Sequence, residues 1–361
     1  MGDPYRNPQH GRGAQTRVPN RYEPLALEVD WEHLTDEDIA EGRADRPRTE
    51  FLEDQSQSII SENRSPDIPF RYSLNPYRGC EHGCSYCYAR PSHEFLGFSP
   101  ALDFETKILV KPRAAELFRQ WLARAAYRPE TVVFSGVTDC YQPVERKLRL
   151  TRACLEVATE CRQPIGVVTK NAGVTRDLEL LAQLAAHNAA CVALSIPTLN
   201  VELSRRMEPR TSTPEARLRA IERLSAAGIP TQVMVAPVIP GLTDSEIPAV
   251  LKAAREAGAT TAGYTLLRLP AGVRQVFLGW IDACYPQHTS RVEALVRSTR
   301  EGKLNCADFG QRMRGEGAYA DQIAQTFRAF KQKLGYAEKA PPLDASGFLP
   351  PRDSTGQQWL F

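Results

Sequence analysis

Short apolar runs rich in β-branched residues recur along the middle of the chain, separated by segments whose apolar residues are spaced three and four apart. Runs of the first kind predict buried strands, and the spacing of the second predicts helices with one apolar face. Thr213-Pro214 has the residue types of a helix start. Repeated strand–helix units with short connections predict a parallel sheet. The predicted strands are residues 131–135, 165–169, 191–196, 231–239 and 261–267.

If one further strand precedes Cys80, six strand–helix units result, so we predict an α/β fold of the partial (β/α)6, TIM-type barrel kind. The two termini are rich in charge blocks or in Pro, Gly and Ser, and such segments rarely bury enough apolar surface to fold alone. The expected organisation is a poorly ordered N-terminal arm over residues 1–65, a barrel core over 66–270, a helical C-terminal extension over 271–336 and a flexible tail over 337–361.

Composition restricts the class of protein and its compartment. The 361 residues are 42% hydrophobic, and no stretch approaches the roughly 18–20 consecutive apolar residues of a membrane span. The first residues lack the apolar core of a signal peptide, so we expect a cytoplasmic protein with no membrane partner. The net charge of +2 does not by itself indicate nucleic acid. Nine unevenly placed cysteines do not make a disulfide framework.

Three of the cysteines, Cys80, Cys84 and Cys87, form a C-x3-C-x2-C pattern on one short segment. Iron–sulfur clusters are held by cysteine thiolates, normally four. Three thiolates therefore leave one iron with an open position for a chelating substrate. Reductive cleavage of S-adenosylmethionine (SAM) has this requirement, because the SAM amino and carboxylate groups bind the open iron. The pattern predicts a radical-generating site.

Two glycines and two histidines lie within or near this segment. Gly79 and Gly83 are expected to let the backbone wrap around a cluster. The alternative to a cluster is a zinc knot that uses His82 or His93 as its fourth ligand. Structural zinc sites usually have two separated pairs of ligands, and no second pair follows nearby.

Together with further segments over about residues 70–300, the cysteine pattern resembles that of the radical SAM superfamily. It is most similar to the spore photoproduct lyase-like (DNA repair photolyase-like) group. The resemblance implies a [4Fe–4S] cluster at the C-terminal mouth of a partial barrel, SAM as cosubstrate, a lyase-like reaction and a reducing electron donor of the flavodoxin or ferredoxin type. The segments that carry it are 75–80 (NPYRGC), Tyr86 before the third cysteine, 135–139 (SGVTD), 141–143 (YQP), 168–170 (VTK), Ser195, 207–210 (MEPR) and 227–230 (AGIP).

The same resemblance implies which residues contact SAM. All but one of them end a predicted strand, where barrel enzymes place their chemistry. Residues 238–241 correspond to a loop against the adenine. The implied SAM-site residues are Tyr86 for the adenine, Gly136, Thr138 and Asp139 for the methionyl amino group, Lys170 for the carboxylate, and Ser195 for the ribose or carboxylate.

Cys140 follows Asp139 at a predicted strand end, so its side chain is expected to face the cavity. A thiol there can donate a hydrogen atom to a product radical, as a cysteine does in spore photoproduct lyase, with Tyr88 or Tyr141 as relay. Cys140 does not fall at the same step of the motif as that cysteine. The alternative is a small thiol packed in the core.

The end of the chain, with Gln357, Leu360 and Phe361, resembles the short peptide that binds the bacterial DNA sliding clamp. A tether can present such an apolar pair to a groove on a partner; the alternative is docking on its own domain. The tail and the family likeness favour a nucleic-acid substrate such as damaged DNA, and hence DNA repair. A basic rim at the mouth would suit a phosphate-bearing substrate, and the alternative for such a cluster is an ordinary solvated face. The residues are Arg146, Lys147, Arg149, Arg152, Arg205, Arg206 and Arg210.

Two other functions stay open from the sequence. One is radical SAM modification of a peptide, a tRNA or a small metabolite. The other is a non-catalytic iron–sulfur or zinc protein that only binds DNA or the sliding clamp.

Overall fold

The computed structural model describes residues 12–16, 18–22 and 48–351. Its strands form a seven-stranded sheet of order β10-β9-β8-β7-β6-β3-β2 and a smaller one of order β1-β5-β4. The strands are β1 (Glu50–Glu53), β2 (Ile60–Glu62), β3 (Tyr72–Leu74), β4 (Tyr77–Arg78), β5 (Lys107–Val110), β6 (Val132–Phe134), β7 (Ile165–Thr169), β8 (Ala190–Ser195), β9 (Thr231–Val238) and β10 (Thr261–Leu266).

Six neighbouring strands of the large sheet, β3 and β6 to β10, run parallel, and β2 joins β3 antiparallel. Among the described residues β10 and β2 form the two edges, so the sheet curves without closing there. The expected α/β partial barrel with six parallel strands is confirmed. Because the strands are parallel, all six carboxyl ends meet at one edge, which is where the site residues were expected.

Helices connect the strands and cover the outer face of the sheet. In the described part of the chain, short 3₁₀ helices span Arg90–Leu96, Ala172–Asp177 and Asp244–Glu246. No described helix is both long enough and apolar enough to cross a membrane. The α-helices are α1 (Leu102–Thr106), α2 (Ala114–Leu122), α3 (Glu145–Leu148), α4 (Leu150–Glu160), α5 (Leu178–Ala185), α6 (Val201–Met207), α7 (Pro214–Ala226), α8 (Ile247–Glu256), α9 (Val273–Cys284), α10 (Pro286–Ser298) and α11 (Ala318–Lys333).

The core lies between the sheet and these helices. Strand residues such as Phe134, Val192 and Val235 are fully buried and pack with helix residues such as Leu155 and Leu251 in one continuous cluster. Each fully buried side chain of this size contributes about 1.5–3 kcal/mol relative to an exposed one. The helices expected after Leu269 are present as α9, α10 and α11.

Part of the segment predicted to be a poorly ordered arm is packed. β1 pairs with β5, and β2 pairs with β3, so both strands lie before residue 65 yet belong to sheets. Ala14 and Val18 are buried. The backbone N–H groups of Gly13 and Ala14 donate to the Glu105 carboxylate. Low hydrophobicity did not reveal this packing, because backbone groups and a distant carboxylate hold the segment.

Residues 337–351 belong to the segment expected to be a flexible tail, but in the structure their backbone is hydrogen-bonded beside the sheet. The backbone N–H groups of Ala337, Asp344 and Leu349 donate to carbonyls that lie just before β10, β8 and β7, at 2.8–3.0 Å. The segment therefore crosses the amino-terminal edge of the sheet, opposite the site. Residues 352–361, with the clamp-like Gln357, Leu360 and Phe361, lie outside the described residues.

Candidate active site

The three cysteines of the C-x3-C-x2-C pattern lie on one loop between β4 and the 3₁₀ helix Arg90–Leu96. Cys80 and Cys84 are buried, and Cys87 is half-buried. Burial raises the pKa of the Cys84 and Cys87 thiols above the usual value, and the cationic Lys170 acts in the opposite direction. Thiols of this kind bind metal as thiolates and release their protons when they do so.

Gly79 and Gly83 have φ of 80° and 64°, a region that glycine occupies without strain. A Cβ on Gly83 would lie 2.7 Å from an oxygen of Glu105, and one on Gly79 would lie 2.9 Å from the ring of His93. Both glycines therefore allow backbone conformations and close contacts that a side chain would disturb, and their role in wrapping a cluster stays a prediction.

A buried ion pair behind the loop was not predicted. Arg90 donates to the carbonyl oxygen of Cys84 at 2.8 Å and to Glu105 at 2.6 Å, and neither charged side chain has exposed surface. Glu105 also accepts the N–H groups of Gly13 at 3.1 Å and Ala14 at 2.8 Å. Gly13 and Ala14 therefore contact the same carboxylate that pairs with Arg90 behind the cysteine loop. The sequence signal was weak: one arginine three residues after the last cysteine.

Asp139 lies just beyond β6 and connects the loop with β7. Its two carboxylate oxygens accept the Thr169 hydroxyl at 2.7 Å and the Lys170 backbone N–H at 2.8 Å. His82, between the first two cysteines, has Nδ1 3.4 Å from Asp139. Burial opposes ionisation of Asp139, but His82 and the hydrogen-bond donors lower its pKa to about 2. Burial acts to lower the pKa of His82, but Asp139 and Cys80 raise it to about 10, so the Asp139 carboxylate at this strand end is paired with a cationic imidazole.

Lys170 and Tyr86 lie opposite each other, one at the end of β7 and the other on the cysteine loop. The Lys170 ammonium is 5.8 Å from the centre of the Tyr86 ring. Burial lowers the pKa of Lys170, while Cys84 and Asp139 favour its charged form. Ser195 ends β8 and is 4% exposed.

Tyr86 and Ser195 are joined through two buried residues that were not assigned a role from the sequence. The Tyr86 hydroxyl donates to Glu208, and Glu208 pairs with Arg217 at 2.5 Å. Arg217 also donates to the Ser195 carbonyl at 2.7 Å. Glu208 lies in the MEPR segment, which was noted only as part of the family likeness.

Gly136 and Thr138, also beyond β6, contact the cysteine loop and its approach. The Gly136 carbonyl accepts the Tyr88 hydroxyl at 2.5 Å. Thr138 donates its hydroxyl to the Tyr77 carbonyl at 2.9 Å and accepts the Asn75 amide at 2.6 Å. The structure thus brings all six predicted SAM-site residues to the edge that holds the cysteines. Their contacts with SAM stay predictions.

The three residues predicted as candidates for hydrogen transfer differ in their exposure to solvent. Tyr88 is 50% exposed beside Gly136, whereas Tyr141 is 2% exposed and donates its hydroxyl to Asp177 at 2.9 Å. Cys140 has no exposed surface and packs in the main core, and burial raises the pKa of its thiol. The Cys140 side chain therefore does not face an opening in the described structure, and its donor role stays a prediction.

Three of the seven basic residues expected at the rim are paired with carboxylates. Arg152 pairs with Asp177 at 2.8 Å, and Arg206 and Arg210 pair with glutamates at 2.7 and 3.2 Å. A different basic group, missed from the sequence, follows β10. The Arg268 guanidinium lies 5.7 Å from the Tyr88 ring, and its buried Nε has no hydrogen-bond partner among the residues that the structure describes.

The donor set fits an iron–sulfur cluster better than one zinc ion. In residues 12–16, 18–22 and 48–351, no three Cys, His, Asp or Glu side chains are arranged to hold a single metal ion. In a cluster, by contrast, each thiolate binds a different iron. His93 Nε2 contacts the Lys107 carbonyl at 2.9 Å, and His82 faces Asp139. His93 Nε2 and His82 Nδ1 therefore contact groups outside the cysteine set, while His93 Nδ1 is buried without a hydrogen-bond partner among the described residues.

Comparison with known proteins identifies the class. The radical SAM superfamily model matches residues 74–254, so the chain belongs to the radical SAM superfamily. Its cofactors are accordingly a [4Fe–4S] cluster and SAM.

Two sequences and one solved structure that are similar to this chain can be named. An uncharacterized protein of Mycobacterium tuberculosis is 40% identical over 232 residues, which cover 64% of this chain and 68% of that protein. An uncharacterized protein of Methanocaldococcus jannaschii is 26% identical over 199 residues, or 55% and 71% of the two chains. Spore photoproduct lyase complexed with dinucleoside spore photoproduct has a TM-score of 0.58 at 16% identity, over 79% and 80% of the chains. The last comparison shows a shared fold.

Proposed function

We propose that this protein abstracts a hydrogen atom from a nucleic-acid substrate, with damaged DNA as the leading case. One observation carries the proposal. Cys80, Cys84 and Cys87 lie on one loop, and the charged side chains of Asp139 and Lys170, at the ends of β6 and β7, lie beside that loop. When bound, the [4Fe–4S] cluster supplies the electron that cleaves SAM to a 5′-deoxyadenosyl radical.

The charges at the strand ends match those of the amino-acid part of SAM. Asp139 is held as an anion by Thr169, by the Lys170 N–H and by His82, so it suits the SAM ammonium group. Lys170 carries the complementary charge for the SAM carboxylate. The two residues belong to neighbouring strand ends, which lets them orient both groups at once. Ser195 adds a hydroxyl at the next strand end.

Tyr88 is the residue best placed to move a hydrogen atom near the substrate. It follows Cys87 directly, is half-exposed, and has its hydroxyl fixed on the Gly136 carbonyl. Cys140 stays the alternative donor. A donor role for Cys140 predicts that Cys140→Ala changes the products formed from the substrate radical, whereas a packing role predicts a loss of stability only.

Basic and aromatic groups near β10 support a nucleic-acid substrate. Arg268 lies over Tyr88, and Phe309 is 60% exposed. Arg312 lies 4.7 Å from the ring centre of Phe309 but is paired with Asp67 at 2.5 Å, so Arg268 is the basic group offered for a phosphate. Arginine contacts phosphates, and exposed aromatic rings stack on bases. Spore photoproduct lyase, which shares the fold, has been solved with a dinucleoside photoproduct. The lyase-like reaction, the clamp contact through Gln357, Leu360 and Phe361, and an electron donor of the flavodoxin or ferredoxin type belong to the same proposal.

Binding of a labelled oligonucleotide tests the substrate class. Phe309→Ala and Arg268→Gln are expected to weaken binding, with a lower salt dependence for Arg268→Gln because one phosphate contact is lost. Lys252→Gln is the control, since Lys252 is exposed on α8 and pairs with Glu256. Equal binding by all the variants would argue against this surface.

The reaction itself is tested by isotope transfer. A deuterated oligonucleotide that carries the damaged bases should transfer deuterium to 5′-deoxyadenosine under anaerobic reducing conditions. If deuterium appears from a peptide or tRNA instead, the alternative radical SAM modification is the function.

A further inference from the structure

We propose that Glu208 and Arg217 are positioning residues that set the orientation of Tyr86 and thereby the affinity of the site for SAM. The inference rests on the proposed function only in taking Tyr86 and Ser195 as two walls of the SAM site. It assigns a role to a buried pair that contacts neither the cysteines nor SAM directly.

The pair has a defined place in the fold. Glu208 follows α6 directly, and Arg217 lies in the first turn of α7. Glu208 uses its two carboxylate oxygens separately: Oε1 accepts the Tyr86 hydroxyl, and Oε2 accepts Arg217 Nη2 at 2.5 Å. Both side chains of the ion pair have no exposed surface. Hydrogen bonds to charged groups are stronger and more directional than neutral ones.

Arg217 fixes the other side of the connection. Its guanidinium donates to the Ser195 carbonyl at 2.7 Å, to the Ser212 carbonyl at 2.8 Å and to the Thr211 hydroxyl at 2.6 Å. One side chain therefore connects the end of β8 with the segment before α7. With its donors occupied, Arg217 is held rigidly and holds Glu208 in turn.

Burying two charges is costly, and an apolar pair of similar volume would often be no less stable. What this ion pair provides instead is a fixed orientation of the Glu208 carboxylate and therefore of the Tyr86 ring. The carboxylate fixes one end of the Tyr86 ring, and the cysteine loop fixes the other. Lys170 lies over the same ring at 5.8 Å. Rotation of Tyr86 would therefore move both the adenine-side wall and the ammonium expected to face the SAM carboxylate.

The decisive variant is Tyr86→Phe, which keeps the ring and removes only the hydroxyl. After anaerobic reconstitution, three quantities are measured: iron per chain, the thermal unfolding midpoint, and the SAM concentration that half-saturates the change in the spectrum of the reduced cluster. We expect unchanged iron content and an approximately tenfold higher half-saturating SAM concentration, the loss expected for one hydrogen bond to a charged group. The KM for SAM should rise by the same factor, with little change in kcat.

Glu208→Gln and the double variant Tyr86→Phe/Glu208→Gln test the coupling. The effects of two substitutions that remove the same contact do not add. The double variant should therefore bind SAM about as well as whichever single variant has the lower affinity for SAM. Tyr336→Phe is the matched control. Its hydroxyl also donates to a single acceptor, the Leu251 carbonyl at 2.6 Å, but it lies against α8 far from the loop.

Two results would overturn the proposal: Tyr86→Phe binding SAM as tightly as the unmodified protein, or Tyr86→Phe losing its iron. The second would make the hydroxyl a support of the cluster loop. If the unmodified protein itself binds no SAM, the proposed function fails, and that outcome is distinct from both.

Discussion

Replacing Glu105 by glutamine tests how the cysteine loop is held. Glu105 is fully buried and accepts Arg90 at 2.6 Å, Ala14 at 2.8 Å and Gly13 at 3.1 Å. Glutamine keeps the volume but removes the charge opposite Arg90, and its amide nitrogen must face a donor. Leaving one partner of a buried ion pair uncompensated costs about 3–5 kcal/mol. The expected result is a loss of that size in the free energy of unfolding.

Urea unfolding followed by circular dichroism measures this loss on the reconstituted protein. Glu116→Gln is the control, because Glu116 forms the same kind of pair with Arg113 on the exposed surface of α2. The control should unfold at the same urea concentration as the unmodified protein. Because Arg90 also holds the Cys84 carbonyl, Glu105→Gln should lower the iron content as well. A loss below about 1 kcal/mol, in the range of an exposed pair, would refute the reasoning.

Three other changes have defined outcomes. Burial holds the pKa of His93 at about 4, below its usual 6.5, so the unfolded chain takes up a proton first as the pH falls. The contribution of neutral His93 to the free energy of unfolding is present above pH 6.5 and is lost as the pH falls from 6.5 to about 4, at up to about 1.4 kcal/mol per pH unit. The free energy of unfolding of His93→Gln should therefore depend less steeply on pH over that range. Tyr141→Phe should cost about 1 kcal/mol in urea unfolding, because Asp177 keeps Arg152 as a partner; no loss would mean that this hydrogen bond is not stabilising. A Cβ at Gly13 would lie 1.7 Å from the Gly83 carbonyl oxygen, so Gly13→Val should displace residues 12–16 from the cysteine loop and speed the loss of cluster absorbance in air. Gly347→Val is the control, because the nearest atom there is 4.0 Å away, and equal decay rates would mean that contact with residues 12–16 does not protect the loop.

Local patterns predicted much of the fold. β7 has the predicted bounds, Ile165–Thr169, because an apolar β-branched run between helical segments has few other structures available. The helix start at Thr213 is confirmed, since its side chain accepts the Ala216 N–H. The cysteine loop was also predictable, because its spacing and glycines are local.

Contacts between distant polar residues were not predictable in this way. The Glu105 contacts with residues 13 and 14 and the contact of Tyr86 with Glu208 join positions about 90 and 122 apart in the sequence. Periodicity carries no information about such pairings. The sequence left Cys140 open between a thiol that faces the cavity and a thiol packed in the core, because position at a strand end does not determine which way a side chain points.

Anaerobic SAM cleavage tests the central claim most directly. The protein is reconstituted with iron and sulfide, reduced with dithionite and incubated with SAM, and 5′-deoxyadenosine is quantified. We expect 5′-deoxyadenosine from the unmodified protein and neither cluster absorbance nor product from Cys84→Ala. A protein that binds a full complement of iron yet forms no 5′-deoxyadenosine, or a Cys84→Ala variant that forms as much as the unmodified protein, would contradict the account.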